Sequence, residues 1–106
     1  MYICQHANVD RQHFDGFDWD AGNSAKCQAH GMTLAEIESV FANGPLVGPD
    51  PFDAGIEARW RAIGRTADHR LAFVVFTIRA VGLEKLVRPI SARFMHAKEI
   101  RRYEQD

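Results

Sequence analysis

Apolar positions keep different rhythms in different parts of the chain. Between Thr33 and Gly44, Leu34, Ile37, Val40 and Phe41 recur at helical spacing on one face. Thr33 followed three residues on by Glu36 is a capping-box signal that opens this helix, and Asn43-Gly44 closes it. From Leu71 to Ile78 the rhythm changes. Leu71, Phe73 and Val75 fall on one parity and Ala72, Val74, Phe76 and Ile78 on the other, which predicts a strand covered on both faces in the middle of a sheet. "EARWRAIGRT" (57–66) and "LVRPIS" (86–91) read as its neighbours, and "ADHR" and "AVGLEK" turn the chain between them, so the three form an antiparallel meander. Pro89 lacks an N–H to donate and so predicts an edge or a bulge in the last strand.

The remaining segments are weaker. Asp20 caps a first helix, "AGNSAKCQA", which stops at His30-Gly31, and a short strand is expected near Phe14 to Trp19. Residues 44–56 hold Pro45, Pro49 and Pro51 among glycines and read as a loop with a brief edge strand at Leu46-Val47. Met95 to Glu104 has helix length, with Met95, Ile100 and Tyr103 as an incomplete apolar stripe among basic residues. Two helices, a meander sheet and a C-terminal helix make an α+β domain. Residues 1–16 are expected as a tail and 17–106 as one domain, since 106 residues are too few for two ordinary cores. Trp19 and Trp60 sit beside segments that must cover the sheet and are expected to pack.

Composition adds a location and a charge pattern. Hydrophobic residues at 46% and charged residues at 25% belong to a globular protein, and the longest apolar run is strand-sized, so no membrane segment or secretion signal is expected and the cytoplasm is the default. The net charge of −1 hides an asymmetry: residues 1–58 carry two basic and nine acidic side chains, residues 59–106 eleven basic and five acidic. Interleaving of the halves, with local cancellation, is the expectation from composition; a cationic face for phosphates is the alternative. Cys4, His6, Cys27 and His30 offer two thiols and two imidazoles, a set that zinc tolerates, although C-x-H is not a common finger spacing and a buried thiol beside a surface histidine is the commoner arrangement.

Several short segments in order carry a resemblance: "FDWD" at 17–20, Lys26, "HG" at 30–31, "EAR" at 57–59, "AIGR" at 62–65, "FVVFTIR" at 73–79, and "ISAR" at 90–93 followed by Glu99 and Tyr103. Together they resemble the BrnT toxins of type II toxin-antitoxin systems over about residues 17–104. The resemblance implies a compact RelE-like fold and an endoribonuclease that cleaves RNA and inhibits translation. It also implies a BrnA-like ribbon-helix-helix antitoxin as partner and operator DNA bound only through the toxin-antitoxin complex. No cofactor is implied. A diverged member that only binds its antitoxin or RNA is the alternative.

RNA cleavage of this kind takes a base for the 2′-hydroxyl proton, cations for the charge developing on phosphorus, and an acid for the leaving 5′-oxygen. Arg59 and Arg93 match the family's E-x-R and ISAR positions and are the expected catalytic cations; Lys26, Arg79, Arg88, Arg101 and Arg102 are expected to bind RNA around them. Pairing of Arg59 and Arg93 with Glu57 and Glu99 as a structural network is the competing arrangement. Glu57, two residues from Arg59 on an expected strand, would share its face and serve as base or as orienting group. His30 is a proton-transfer candidate that could equally cap a helix end, and Tyr103 either meets RNA or packs its ring on the sheet.

Overall fold

The computed structural model describes residues 14–50 and 57–105. Among them the elements run β1 (Gly16–Phe17), α1 (Ala21–Cys27), α2 (Leu34–Ala42), β2 (Leu46–Pro49), β3 (Trp60–Arg65), β4 (Leu71–Val81), β5 (Glu84–Phe94) and α3 (Ala97–Gln105). The strands form one sheet in the order β1-β5-β4-β3-β2, with β4 at the centre as its doubly apolar pattern requires. β2 through β5 pair antiparallel. The sheet as a whole is mixed rather than antiparallel, because β1 lies parallel to β5, pairing Gly16 with Leu86 and Phe17 with Val87.

Both helix caps form as the sequence indicates. Thr33 and Glu36 exchange side-chain and backbone hydrogen bonds at the start of α2, and Asp20 does the same with Asn23 at the start of α1. Asn23 also does something no local pattern shows. Its buried amide donates to the carbonyls of Asp18, at 3.0 Å, and Pro89, at 2.9 Å, and so ties α1 to β5. Pro89 sits at the irregularity where Val75 opposes Ser91 and Phe76 opposes Pro89, with Ile90 the extra residue; the missing N–H falls at a bulge.

α1 packs on β5 and α2 on β3, burying Cys27, Ile37 and Val40 against Ala62, Ala72, Val74, Phe76 and Val87. Phe76 is the centre of an aromatic group, meeting the rings of Phe41 and Phe14 edge-on at 5.1 and 5.9 Å. Phe14, inside the stretch expected to be a tail, therefore packs on the core. Trp19 and Trp60 pack half-buried against this core, as expected, and the Trp19 indole donates to Glu38 at 2.8 Å. Gly64 lies close under the turn that follows α2: a Cβ there would lie 3.0 Å from that of Pro45 and 3.4 Å from the Val40 side chain of α2. No helix among the described residues is long and apolar enough to cross a membrane.

Phe76 is fully buried and joins α2 to the sheet through Phe41. Its replacement in Phe76→Ala should cost about 3–5 kcal/mol, read as a lower denaturation midpoint in a chemical melt; a change under about 1 kcal/mol would contradict this view of the core.

Candidate active site

The register places a second, chemically different set of side chains on the sheet face away from α1 and α2. Arg61 lies opposite Val75 and Ile63 opposite Phe73 on one side of β4; Ser91 lies opposite Val75 and Arg93 opposite Phe73 on the other. Strand alternation thus gathers arginines from β3 and β5 over the Phe73 ring. The guanidinium of Arg93 stands 4.6 Å and that of Arg61 5.4 Å from the ring centre, where the π face favours a cation.

Arg61, Phe73, Val75, Ser91 and Arg93 line a depression of about 550 Å³ that also takes in His30, Asp50, Arg59 and Glu99. The arginines are held differently. Arg93 makes a bidentate pair with Glu99 on α3, both N···O distances being 2.8 Å, and Glu99 also accepts from the His96 amide at 2.8 Å. Arg61 leans 3.5 Å from the buried carboxylate of Asp50. Arg59, just ahead of β3, makes no ion pair with another described residue. The site therefore combines one cation unpaired among the described residues, one loosely held and one fixed, with an exposed imidazole at its rim. Such a set can hold a phosphodiester and move a proton beside it.

Of the residues expected at the site, His30, Arg59 and Arg93 are brought together. The others are elsewhere. Glu57 falls in a bend before β3 begins at Trp60, so it is not on a strand beside Arg59 and does not line the depression; the carboxylates there are Asp50 and Glu99. Tyr103 lines a separate hollow with Ile63, Arg65 and His69. Arg88 is drawn to the other edge of β5, where it pairs with Asp20 at 2.7 Å and Asp18 at 3.4 Å. Lys26, Arg79, Arg101 and Arg102 are exposed and outside the depression. The pairs Arg61–Asp50 and Arg88–Asp18/Asp20 join the basic and acidic halves of the chain, so interleaving is realised there.

Cys27 is fully buried in the core, where burial pushes its thiol up to about 11, while His30 is exposed, so the two do not share a site. Cys4 and His6 lie outside the described residues. No group of three metal-binding side chains occurs among the described residues. Sequence reasoning missed Arg61, Asp50 and Ser91. A signal existed for Arg61, since residues two apart on a strand share a face and Arg59 was already a candidate.

Residues 19–99 match the family described as the ribonuclease toxin BrnT of type II toxin-antitoxin systems. The chain belongs to the BrnT family. The matched stretch holds every described residue of the depression, from His30 to Glu99. Membership of the BrnT family makes RNA the substrate class and an antitoxin the partner. No curated protein matches the chain.

The Arg93–Glu99 pair gives this BrnT member a pH signature. The Arg93 guanidinium, and after it the His96 amide, hold the Glu99 carboxyl down to about 2 from an ordinary 4.5. A folded-state value below the unfolded one means that the unfolded chain takes up protons first, so the pair's stabilisation is present above about pH 4.5 and is lost as pH falls toward 2. Glu99→Gln should therefore flatten the acid side of the stability-pH curve in denaturant melts. Identical acid slopes for variant and wild type would remove the pair from the stability account.

Proposed function

We propose that the chain is an endoribonuclease that cuts RNA with its own side chains, without a metal, and so inhibits translation and growth. On this reading the fold is of the RelE type. A BrnA-like ribbon-helix-helix antitoxin covers the open face and carries the complex to operator DNA. The observation that carries the reading is the convergence of Arg59, Arg61 and Arg93 with His30 on one open sheet face.

The chemistry follows from how each group is held. The uncommitted fork of Arg59 receives the scissile phosphate. Arg61 and Arg93, stacked on Phe73, stand where negative charge grows on the non-bridging oxygens as the 2′-oxygen attacks phosphorus. His30 takes the 2′-hydroxyl proton, the 2′-oxygen–phosphorus bond forms as the bond to the 5′-oxygen breaks, and solvent water protonates the leaving 5′-oxygen. Glu99 is ionised throughout the working pH range, so it serves as a positioning carboxylate for Arg93 rather than as an acid. Around the site, Lys26, Arg79, Arg101 and Arg102 add positive potential that favours the RNA backbone. The antitoxin must neutralise these cations, and complementary charge on it sets its rate of approach and its specificity.

One feature favours the other reading, a member that binds RNA or antitoxin without cutting: the fork of Arg93 is already filled by Glu99. Expression of the wild-type chain beside Arg59→Ala and Arg93→Ala, with growth and RNA integrity followed together, separates the two. Cleavage predicts arrest with RNA fragments and a loss of about 10²–10³-fold in rate for Arg59→Ala. Folded wild-type protein that shifts RNA in a gel and leaves it intact would establish the binder. Arrest undiminished in Arg59→Ala at equal expression would remove that arginine from the site.

A further inference from the structure

Arg61, Ile63 and Arg65 alternate onto the same face of β3. Arg61 lines the depression described above, and Ile63 and Arg65 line a second one of about 520 Å³ together with Asn43, Gly44, His69 and Tyr103. One strand thus connects the two hollows, and the four steps from Arg61 to Arg65 span about 13 Å at the rise of a β-strand.

The second hollow has different chemistry. Its arginine is committed: Arg65 donates to the His69 carbonyl at 2.8 Å and to Glu104 at 3.3 Å. No second arginine stands beside Arg65 among the described lining residues, whereas the first hollow gathers three, so the two hollows differ in the charge they offer a phosphate. The groups left to meet a ligand are the Tyr103 ring, the His69 imidazole, the Ile63 side chain and the amide of Asn43, which is anchored by its bond to the Arg65 carbonyl at 2.9 Å. His69 is also held in an uncommon conformation. Its φ of +67° is the only positive value at a non-glycine among the described residues. The turn is pinned by the His69 amide bonding to the Thr66 carbonyl and by the buried Thr66 hydroxyl accepting from the amides of Asp68 and Arg70.

We propose that this second hollow is a nucleobase subsite: single-stranded RNA with its scissile phosphate at Arg59 and Arg93 runs along β3 and lays a neighbouring base against Tyr103 and His69. Aromatic faces stack on bases of any identity, and a fixed amide at the rim adds hydrogen bonding to a base edge. Three arginines in one hollow, and an aromatic lining beside a single, already paired arginine in the next, match the alternation of phosphate and base along one strand. The subsite rests on the ribonuclease reading above for the position of the phosphate, and its test keeps the two apart.

The substrates are short DNA oligonucleotides with a single ribonucleotide, which fixes the only bond open to 2′-hydroxyl attack, and with one flanking base at a time replaced by an abasic sugar. Cleavage kcat/KM and fluorescence anisotropy are measured for the wild-type chain, Tyr103→Leu, Tyr103→Phe and His69→Ala, all checked for an unchanged melt. One abasic position near the scissile bond should weaken the wild type on the order of tenfold, the effect of losing one base–aromatic stack. That penalty should persist in Tyr103→Phe, which keeps the ring, and vanish in Tyr103→Leu. If nothing is cut but the Tyr103-dependent penalty appears in binding, the subsite stands and the ribonuclease reading falls. If no abasic position depends on Tyr103 in either readout, the subsite is overturned, whether or not the RNA bond is cut.

Discussion

Phe73 and Phe76 lie three residues apart on β4 and face opposite sides of the sheet, and the division of labour in the molecule follows from that alternation. Phe76 gathers Phe14 and Phe41 into the core beneath the helices. Phe73 faces the open side, where its ring carries the guanidiniums of Arg61 and Arg93. A central strand apolar on both faces needs cover on both. Here one cover is hydrocarbon from α1 and α2, and the other is the stacked planes and stems of arginines, which cover apolar surface and keep their charge. The surface that completes the fold is thus also the surface that offers cations to a phosphate.

Glu99 connects this face to the end of the chain. It is the third residue of α3 and bonds back to the His96 amide, as a capping residue does, while its two oxygens hold the fork of Arg93. Where α3 begins and where Arg93 points are therefore set by one carboxylate. Farther along the same helix Glu104 holds Arg65, so α3 meets the arginines of both β5 and β3 through acidic side chains. The cations at this surface form a graded set, from the satisfied Arg65 through Arg93 and Arg61 to the uncommitted Arg59. That gradation, more than the number of arginines, marks where an anion would enter.

Recognition of the BrnT family needed only short segments in order, because a family pattern is a statement about sequence. The site was legible to the extent that strand parity and family positions coincide. Arg93 and Arg59, picked by family position, and His30, picked by its residue type, line one depression. Glu57 failed because its place beside Arg59 assumed a strand that begins only at Trp60, and element ends are the least predictable part of a sequence reading. Arg88 failed for another reason: the ribbon of Asp18 to Asp20 reaches it only once β1 has added parallel to β5, a pairing between residues distant in the chain.

By itself the sequence determined the helix α2 with its capping box, the cap of α1, the central place of β4, an edge or a bulge at Pro89 and the α+β order, because each depends on periodicity or on a backbone property of one or two residues. Only the tertiary structure decided that β1 joins parallel, that Asn23 ties α1 to β5, that Arg61 and Asp50 belong to the depression, and that Tyr103 lines a separate hollow beside His69. Those outcomes depend on register, on which strands are neighbours and on the direction in which α3 leaves β5. They are set by the packing of the whole chain, and no local rhythm of apolar and polar residues encodes them.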